Sequence, residues 1–470
     1  MNIKSPNRMF TRPLINIGAG FDIPTGSYVK GVHGEYILNG GLSGVVGVVG
    51  SGNKFKSTIV NFMMLSAADR MNASGVTCPM HTYDTEDNMS LNIERLNQLT
   101  EQFKNILDEP LYDPDVWSFI SKSDMTADEW LKLLYSAIET KIADKTLLIP
   151  FDGFYDRIIK SVTKLIKPSF VCMDSLSELE SVSTANVVVD GNIESSNTIF
   201  MQQGLFKTKL LKDLPRMSNK ANMYFLLTAH VGKEINMATG PFAPQPTKSL
   251  QFIKNGDKIK GVSDKLFFLT THLWQSVITK PLINQGTKEP EYPLNPSDNN
   301  TDLNIVSITA LRSKSGPSGI SLELIVSQKE GVLPGLSEFH FIKTMKYGLD
   351  GSVRSYALDL YPDCKLSRPT VRRKINEDAK LRRALNITAE LLQMTVYMKQ
   401  YANYFCTPKE LYEDIKKLGY DWDYILEHTR GWWTIKQYDT DLKFLSTLDL
   451  LRMRKEEYVP FWYKKEKEKK

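Results

Sequence analysis

Between residues 36 and 348 the chain alternates short runs of β-branched and apolar residues with longer stretches in which apolar residues recur every three or four positions. The short runs, at 44–49, 77–83, 169–173, 223–228, 265–270, 305–311 and 321–327, have the length of buried strands, and residues 58–64 open a helical pattern. Such alternation predicts an α/β core: a twisted, mostly parallel sheet flanked by helices. Residues 283–301 carry Pro and Asn without an apolar period and read as an exposed insertion between two strands. The first 36 residues are rich in Gly and Pro, a short segment available for subunit contact. After Gly351 the composition shifts to helical patterns and then to aromatics (Tyr412, Trp422, Trp432, Trp433, Phe461, Trp462), which suits the core of a smaller domain better than stacking on nucleic-acid bases. The expected division is therefore 1–36, 37–350 and 351–470, with residues 464–470 a disordered charged tail.

Composition adds exclusions. With 470 residues, 41% apolar and 24% charged, the chain is an ordinary globular protein. No apolar run approaches the ~18 residues of a membrane span, and the residues after Met1 form no apolar signal region, so no membrane partner is expected. Cys78, Cys172, Cys364 and Cys406 lie far apart, which suits reduced thiols in a cytoplasm (a host's, if phage-encoded). The net charge of +5 is concentrated at the C-terminus: residues 361–470 hold 23 Lys and Arg against 17 Asp and Glu, net +6, which leaves −1 for the rest. Arg372, Arg373, Lys374, Lys380, Arg382 and Arg383 form its densest part, either a solvated helix face or a patch for phosphates.

The chemistry is concentrated after the first strand. Gly50-Ser51-Gly52-Asn53-Lys54-Phe55-Lys56-Ser57, followed by Thr58, reads as a phosphate-binding loop in which Phe55 stands where G-x-x-x-x-G-K-[ST] has its second Gly. Backbone amides of such a loop wrap a phosphate, Lys56 neutralises charge, and the Ser57 hydroxyl is a ligand for Mg²⁺. Asp174, ending the run Phe170-Val171-Cys172-Met173, suits the second Mg²⁺-orienting group. Glu86, in Tyr83-Asp84-Thr85-Glu86, is the candidate general base that polarises the attacking water, or else a helix-capping acid. His230, ending Phe225-Leu226-Leu227-Thr228-Ala229, suits a γ-phosphate sensor, although a lone histidine is more often structural. The stretch 231–261 brings Lys233, Lys248, Lys254, Lys258 and Lys260 together with Phe242 and Phe252, lysines for phosphates and aromatics for bases, and so reads as a single-strand DNA-binding loop. Residues 181–197 form a second loop candidate.

The order of these motifs, with Leu311-Arg312-Ser313-Lys314-Ser315-Gly316-Pro317 after them, resembles the RecA superfamily, and within it the phage UvsX-type recombinases, which share the P-loop form Lys54-Phe55-Lys56-Ser57. The similarity spans residues 13–351. It implies a RecA-like P-loop ATPase core using ATP and Mg²⁺, with Arg95 near the adenine and ATP between neighbouring subunits, where Arg312 and Lys314 match the basic pair that reaches the neighbour's γ-phosphate. It further implies a homo-oligomer, a helical filament in preference to a ring, acting on single-stranded and duplex DNA with single-strand-binding and loader proteins. The function implied is DNA-dependent ATP hydrolysis driving homologous pairing and strand exchange in recombination and repair. A hexameric DnaB-type replicative helicase is the alternative; Asp174-Ser175 argues against it, as does the lack of a separate N-terminal helical domain. A non-hydrolysing RecA-like regulator is the third. Two features depart from the family: the segment before the core is very short, and the C-terminus is basic and aromatic where relatives often end in acidic tails.

Overall fold

The computed structural model describes residues 12–87, 93–106, 113, 115–156, 160–180, 196–233, 250–262, 265–295, 298, 300–352 and 355–463. Its centre is a ten-stranded mixed sheet built from β1 (Val45–Gly50), β2 (Met80–Asp84), β3 (Trp117–Ser121), β4 (Ser169–Asp174), β5 (Met223–Lys233), β6 (Asp257–Ile259), β7 (His272–Pro281), β8 (Leu303–Ser313), β9 (Ser321–Ser327) and β10 (Gly331–Val332). The strands lie in the order β10-β9-β8-β7-β1-β5-β4-β2-β3, with β6 paired to β5. From β7 through β3 all neighbours run parallel. On the other side, β7 to β10 alternate in direction, as does the β5–β6 hairpin. The sheet is therefore mixed, and the expectation of a mostly parallel one holds only for the half around β1.

Residue alternation along the strands explains why both faces are covered. On β1, Val46 and Val48 join the cluster that takes in α1 (Lys56–Asn72) through Val60, Met64 and Ala67, while Val45 and Val49 join the opposite one. That opposite cluster draws Trp130, Leu131, Leu134 and Ile138 from α2 (Ala127–Ala143), and Leu210, Leu211, Leu214 and Met217 from α3 (Ser196–Ala221). The helical spacing of these residues puts them on one stripe.

One predicted strand is wrong. Residues 265–270 hold the short helix Lys265–Leu269, and the strand of this region is β7, which begins two residues later. A four-residue apolar run does not distinguish helix from strand; here Leu266 is buried and Phe268 half exposed, and neither joins the sheet. The stretch 283–301 does connect two antiparallel neighbours, β7 and β8, but Tyr292 within it is buried.

The flanking regions pack onto this core. Ile15, Ile17 and Phe21 are buried in it, and Phe21 meets Trp274 edge to face with ring centroids 5.2 Å apart. The composition shift at Gly351 falls inside the strand Leu349–Ser352, the first of a three-stranded antiparallel sheet, after α4 (Pro334–Met345). Helices follow, centred on α5 (Ala379–Tyr397), whose Leu381, Leu385 and Leu391 share a cluster with Phe339 of α4. Trp422 and Trp433 are buried, so these aromatics are core. The residues 464–470 lie outside the described residues.

Candidate active site

The candidate phosphate-binding loop (the P-loop of the sequence reading, residues 50–57) sits where β1 meets α1, so the positive end of the helix dipole and its first-turn amides face the same space. Asn53 and Phe55 both take left-handed backbone conformations, φ 54° and 56°. Phe55 thus holds the backbone shape that explains why Gly is usual there, and its ring packs against the core cluster. Nothing lies within 4 Å of where a Cβ on Gly52 would be, so the loop is open at that point. From β7, the Ser276 hydroxyl donates to the Lys54 carbonyl at 2.7 Å and fixes the loop. The Lys56 ammonium donates to the Ser51 carbonyl at 3.1 Å. Burial holds Lys56 below its ordinary range, partly offset by the carboxylates of Asp174 and Glu86.

Strand order gathers the acidic groups beside this loop. Gly50 is level with His230, Met173 with Leu227, and Asp84 with Asp174. Asp174 is buried; it accepts from Thr228, and a hydrogen bond from the Ser57 hydroxyl ties it to the P-loop. Burial pushes its carboxyl up, and the Ser57 and Thr228 bonds pull it back. A hydroxyl beside a carboxylate is a hard oxygen donor set, which fits Mg²⁺, with Ser57 and Asp174 the residues to hold it.

Glu86 Oε1 lies 2.7 Å from His230 Nε2. Burial pushes the Glu86 carboxyl up, but hydrogen bonds from His230 and Ser175, with the charges of His230 and Lys56, bring it below the usual range. Glu86 is therefore ionised at neutral pH. Its position is set by Thr85: the Thr85 hydroxyl accepts from the Ser175 amide at 2.7 Å and donates to the Ser175 carbonyl at 2.8 Å, while the Thr85 amide donates to the Asp174 carbonyl. The two acidic strand ends are locked to one another.

A second network joins this site to the DNA-loop candidates. The His230 amide donates to Ser177 Oγ at 2.8 Å, Ser177 Oγ donates to the Lys260 carbonyl at 2.9 Å, and the Lys260 amide donates to the His230 carbonyl. Lys207, from α3, donates to the carbonyls of both Ser177 and Gly261 at 2.8 Å. It is 2% exposed, and burial lowers its ammonium to about 8. Lys254, Lys258 and Lys260 are exposed around the β5–β6 hairpin, whereas Lys233 pairs with Asp257. Lys248, Phe242 and residues 181–195 lie outside the described residues.

Arg312 and Lys314 stand at the other end of the sheet. Arg312 is level with Leu273, which is level with Gly47, three residues below Gly50. That places it about 10 Å down the strands and about 10 Å to the side of its own P-loop strand. The Lys314 amide reaches Thr271, lower still, and the Arg312 guanidinium lies 5.6 Å from the Phe268 ring. Arg95 stands half-buried in the helix Ile93–Thr100, next to α1: a Cβ on Gly331 would touch both Leu99 and Thr58. The C-terminal basic cluster is used internally. Arg372 pairs with Asp302 and Glu330, Lys380 with Asp423 and Glu427, and Arg382 and Arg383 donate to neutral protein acceptors.

Sequence reading missed Thr85, Ser177, Lys207 and Ser276 as positioning residues. Thr85 had a signal, being adjacent to Glu86; Lys207 had none, as one of several lysines on a long helix. No protein-family model and no curated protein matches this chain. Among the described residues no helix is long and apolar enough to cross a membrane.

Proposed function

We propose that the chain is a RecA-like, DNA-dependent ATPase of the strand-exchange type, which assembles on single-stranded DNA with ATP at each subunit interface. The observation that carries this reading is the row of consecutive parallel strand ends: P-loop on β1, His230 on β5, Asp174 on β4 and Glu86 just past β2. This arrangement sets a carboxylate base and its histidine partner beside a phosphate cradle. Mg²⁺ held by Ser57 and Asp174 would neutralise charge on the phosphates. The P-loop amides and Lys56 bind the phosphate groups of ATP. Glu86, ionised and oriented by Thr85 and His230, accepts the proton of the attacking water. Because His230 bridges Glu86 to Ser177 and Lys260, a strand bound on the hairpin loop would shift the base directly. The distance of Arg312 and Lys314 from their own P-loop supports their action on a neighbour's γ-phosphate, where preorganised cations stabilise transition-state charge.

The test is electron microscopy of the protein with single-stranded DNA and a non-hydrolysable ATP analogue, together with ATP turnover with and without DNA. A helical filament with DNA-stimulated turnover is expected. A closed hexameric ring would favour the replicative-helicase reading, and absence of both binding and turnover would overturn the ATPase reading.

A further inference from the structure

A second candidate ligand site lies far from the P-loop. A cavity of about 290 Å³ opens between the N-terminal loop, the distal end of α1, α4, α5 and the segment around Arg430. It exceeds by far the ~10–15 Å³ that one water requires. Arg70 marks its α1 wall, fourteen residues beyond Lys56, so about 21 Å separates it from the phosphate loop along the helix.

The charges around the cavity do not balance locally. Arg383 is 7% exposed and Arg430 2% exposed. Neither makes an ion pair with a carboxylate among the described residues, and all their hydrogen-bond acceptors are neutral: Asn386 Oδ1 and the Leu445 carbonyl for Arg383; Trp432 and Gln437 carbonyls, Gln437 Oε1 and Thr440 Oγ1 for Arg430. The Nε–H of each is buried without a partner. Most acidic groups on the cavity wall are committed elsewhere or pushed toward the neutral form. Asp22 takes Arg70 and two backbone amides. Glu427 takes Lys380. Burial pushes Glu338 up to about 8; burial also raises Glu390, against the charge of Arg383 and hydrogen bonds with Thr447 and Asn386, so Glu390 is the wall carboxyl that acts most on Arg383, ahead of Glu338. Arg430 is held down to about 9 by burial and then by repulsion from Arg383 and Arg70, a sign that these cations oppose one another. Two buried guanidinium groups with only the raised carboxyls Glu390 and Glu338 acting on Arg383, and no carboxylate among the described residues acting on Arg430, are costly unless an anion joins them.

We propose that this cavity is an anion site that takes a phosphate group, held by Arg383 and Arg430 with Arg70 beside them. Guanidinium forks match phosphate oxygens two at a time, and stacking on the Trp432 ring, 4.8 Å from Arg430 and 5.6 Å from Arg70, keeps two of the three in place. Since its walls come from both the ATPase core and the C-terminal region, a bound phosphate group ties the two together.

The probe is radiolabelled inorganic phosphate, in equilibrium dialysis with full-length Lys56→Ala protein, so that the P-loop does not contribute and the result is independent of the ATPase reading. Saturable binding of one phosphate per chain is expected, with Arg383→Gln and Arg430→Gln each lowering affinity at least tenfold. ADP competing far more tightly than phosphate would identify a nucleotide's phosphate as the ligand; ADP competing no better would identify free phosphate. No saturable binding, equal binding in the arginine variants, or binding of DNA oligonucleotides alone overturns the proposal. Should the variants fail to fold, crystals of the unaltered protein grown in selenate decide the matter: an anomalous peak between Arg383 and Arg430 supports the site, and its absence overturns it.

Discussion

At the scale of single residues, Phe55 poses a question of opposing small terms. Its left-handed backbone costs a side-chain-bearing residue about 1–2 kcal/mol, while its partly buried ring returns a fraction of the ~1.5–3 kcal/mol that full burial supplies. Phe55→Ala keeps the strain and loses the packing; Phe55→Gly loses both. The glycine variant is therefore expected to be more stable than the alanine variant by about 1 kcal/mol in urea unfolding, and equal stabilities would remove backbone strain from the account. Glu86 carries a sharper expectation. Glu86→Gln keeps the shape and one acceptor facing His230 but has no proton-accepting carboxylate, so nucleotide affinity should survive while turnover falls about a hundredfold or more. Single-turnover hydrolysis at saturating ATP checks this, and a rate equal to that of the unaltered protein would exclude Glu86 as the base.

At the scale of elements, α3 is the link between the acidic strand ends and the loops. Lys207 pins the turn after β4 and the return from the β5–β6 hairpin to one helix, so the two cannot move independently while that ammonium holds both carbonyls. Lys207→Met leaves those carbonyls without their donor, at a stability cost of about 1–3 kcal/mol. If the network passes DNA occupancy to His230, stimulation of ATP turnover by single-stranded DNA should disappear while DNA-independent turnover changes less than about threefold. Lys207→Arg should restore part of the stimulation. Undiminished stimulation in Lys207→Met would make the contact purely structural.

At the scale of the whole molecule, the proposed function assigns different work to the two ends of the sheet. The mixing of subunits tests this: Arg312→Ala/Lys314→Ala protein and Lys56→Ala protein are each expected to be inactive alone, yet a mixed assembly contains interfaces with an intact P-loop facing an intact basic pair. Recovered DNA-dependent hydrolysis supports action across the interface; no recovery with co-assembly verified refutes it. The junction of core and C-terminal region has its own pH signature. Burial, against a hydrogen bond from Asn386, raises Glu338 from an unfolded value near 4.5 to about 8, so the native state holds this proton more tightly than the unfolded chain. Its contribution is complete below about pH 4.5 and is lost as pH rises through 8. Glu338→Gln should therefore gain stability relative to the unaltered protein between pH 5 and 8 in phosphate-free buffer, a difference that denaturation at several pH values reads directly. A constant difference across that range would show that Glu338 does not change its protonation on folding.

Local chemistry was legible in the chain itself. The P-loop spacing, the strand-ending Asp174 and the adjacency of Thr85 to Glu86 are features of neighbouring residues, and a short buried strand writes its own apolar run whatever its partners are. The misassigned residues 265–270 mark the limit, because four apolar residues fit a helical turn as well as a strand, and only the strand that pairs beside β1 decides between them. What stands next to what belongs to the tertiary structure. Nothing in the sequence aligns Gly50 with His230, brings Glu86 to His230 across 144 positions, or sends Arg312 to the far end of the sheet from its P-loop. Those relations follow from strand order and direction, which long-range pairing fixes. The same holds for the basic residues 372–383: as a string they suit a phosphate-binding patch as well as a solvated helix face, but folding carries Arg372 and Arg383 inward, where burial and the neighbouring charges, not the count of basic residues, determine what they can bind.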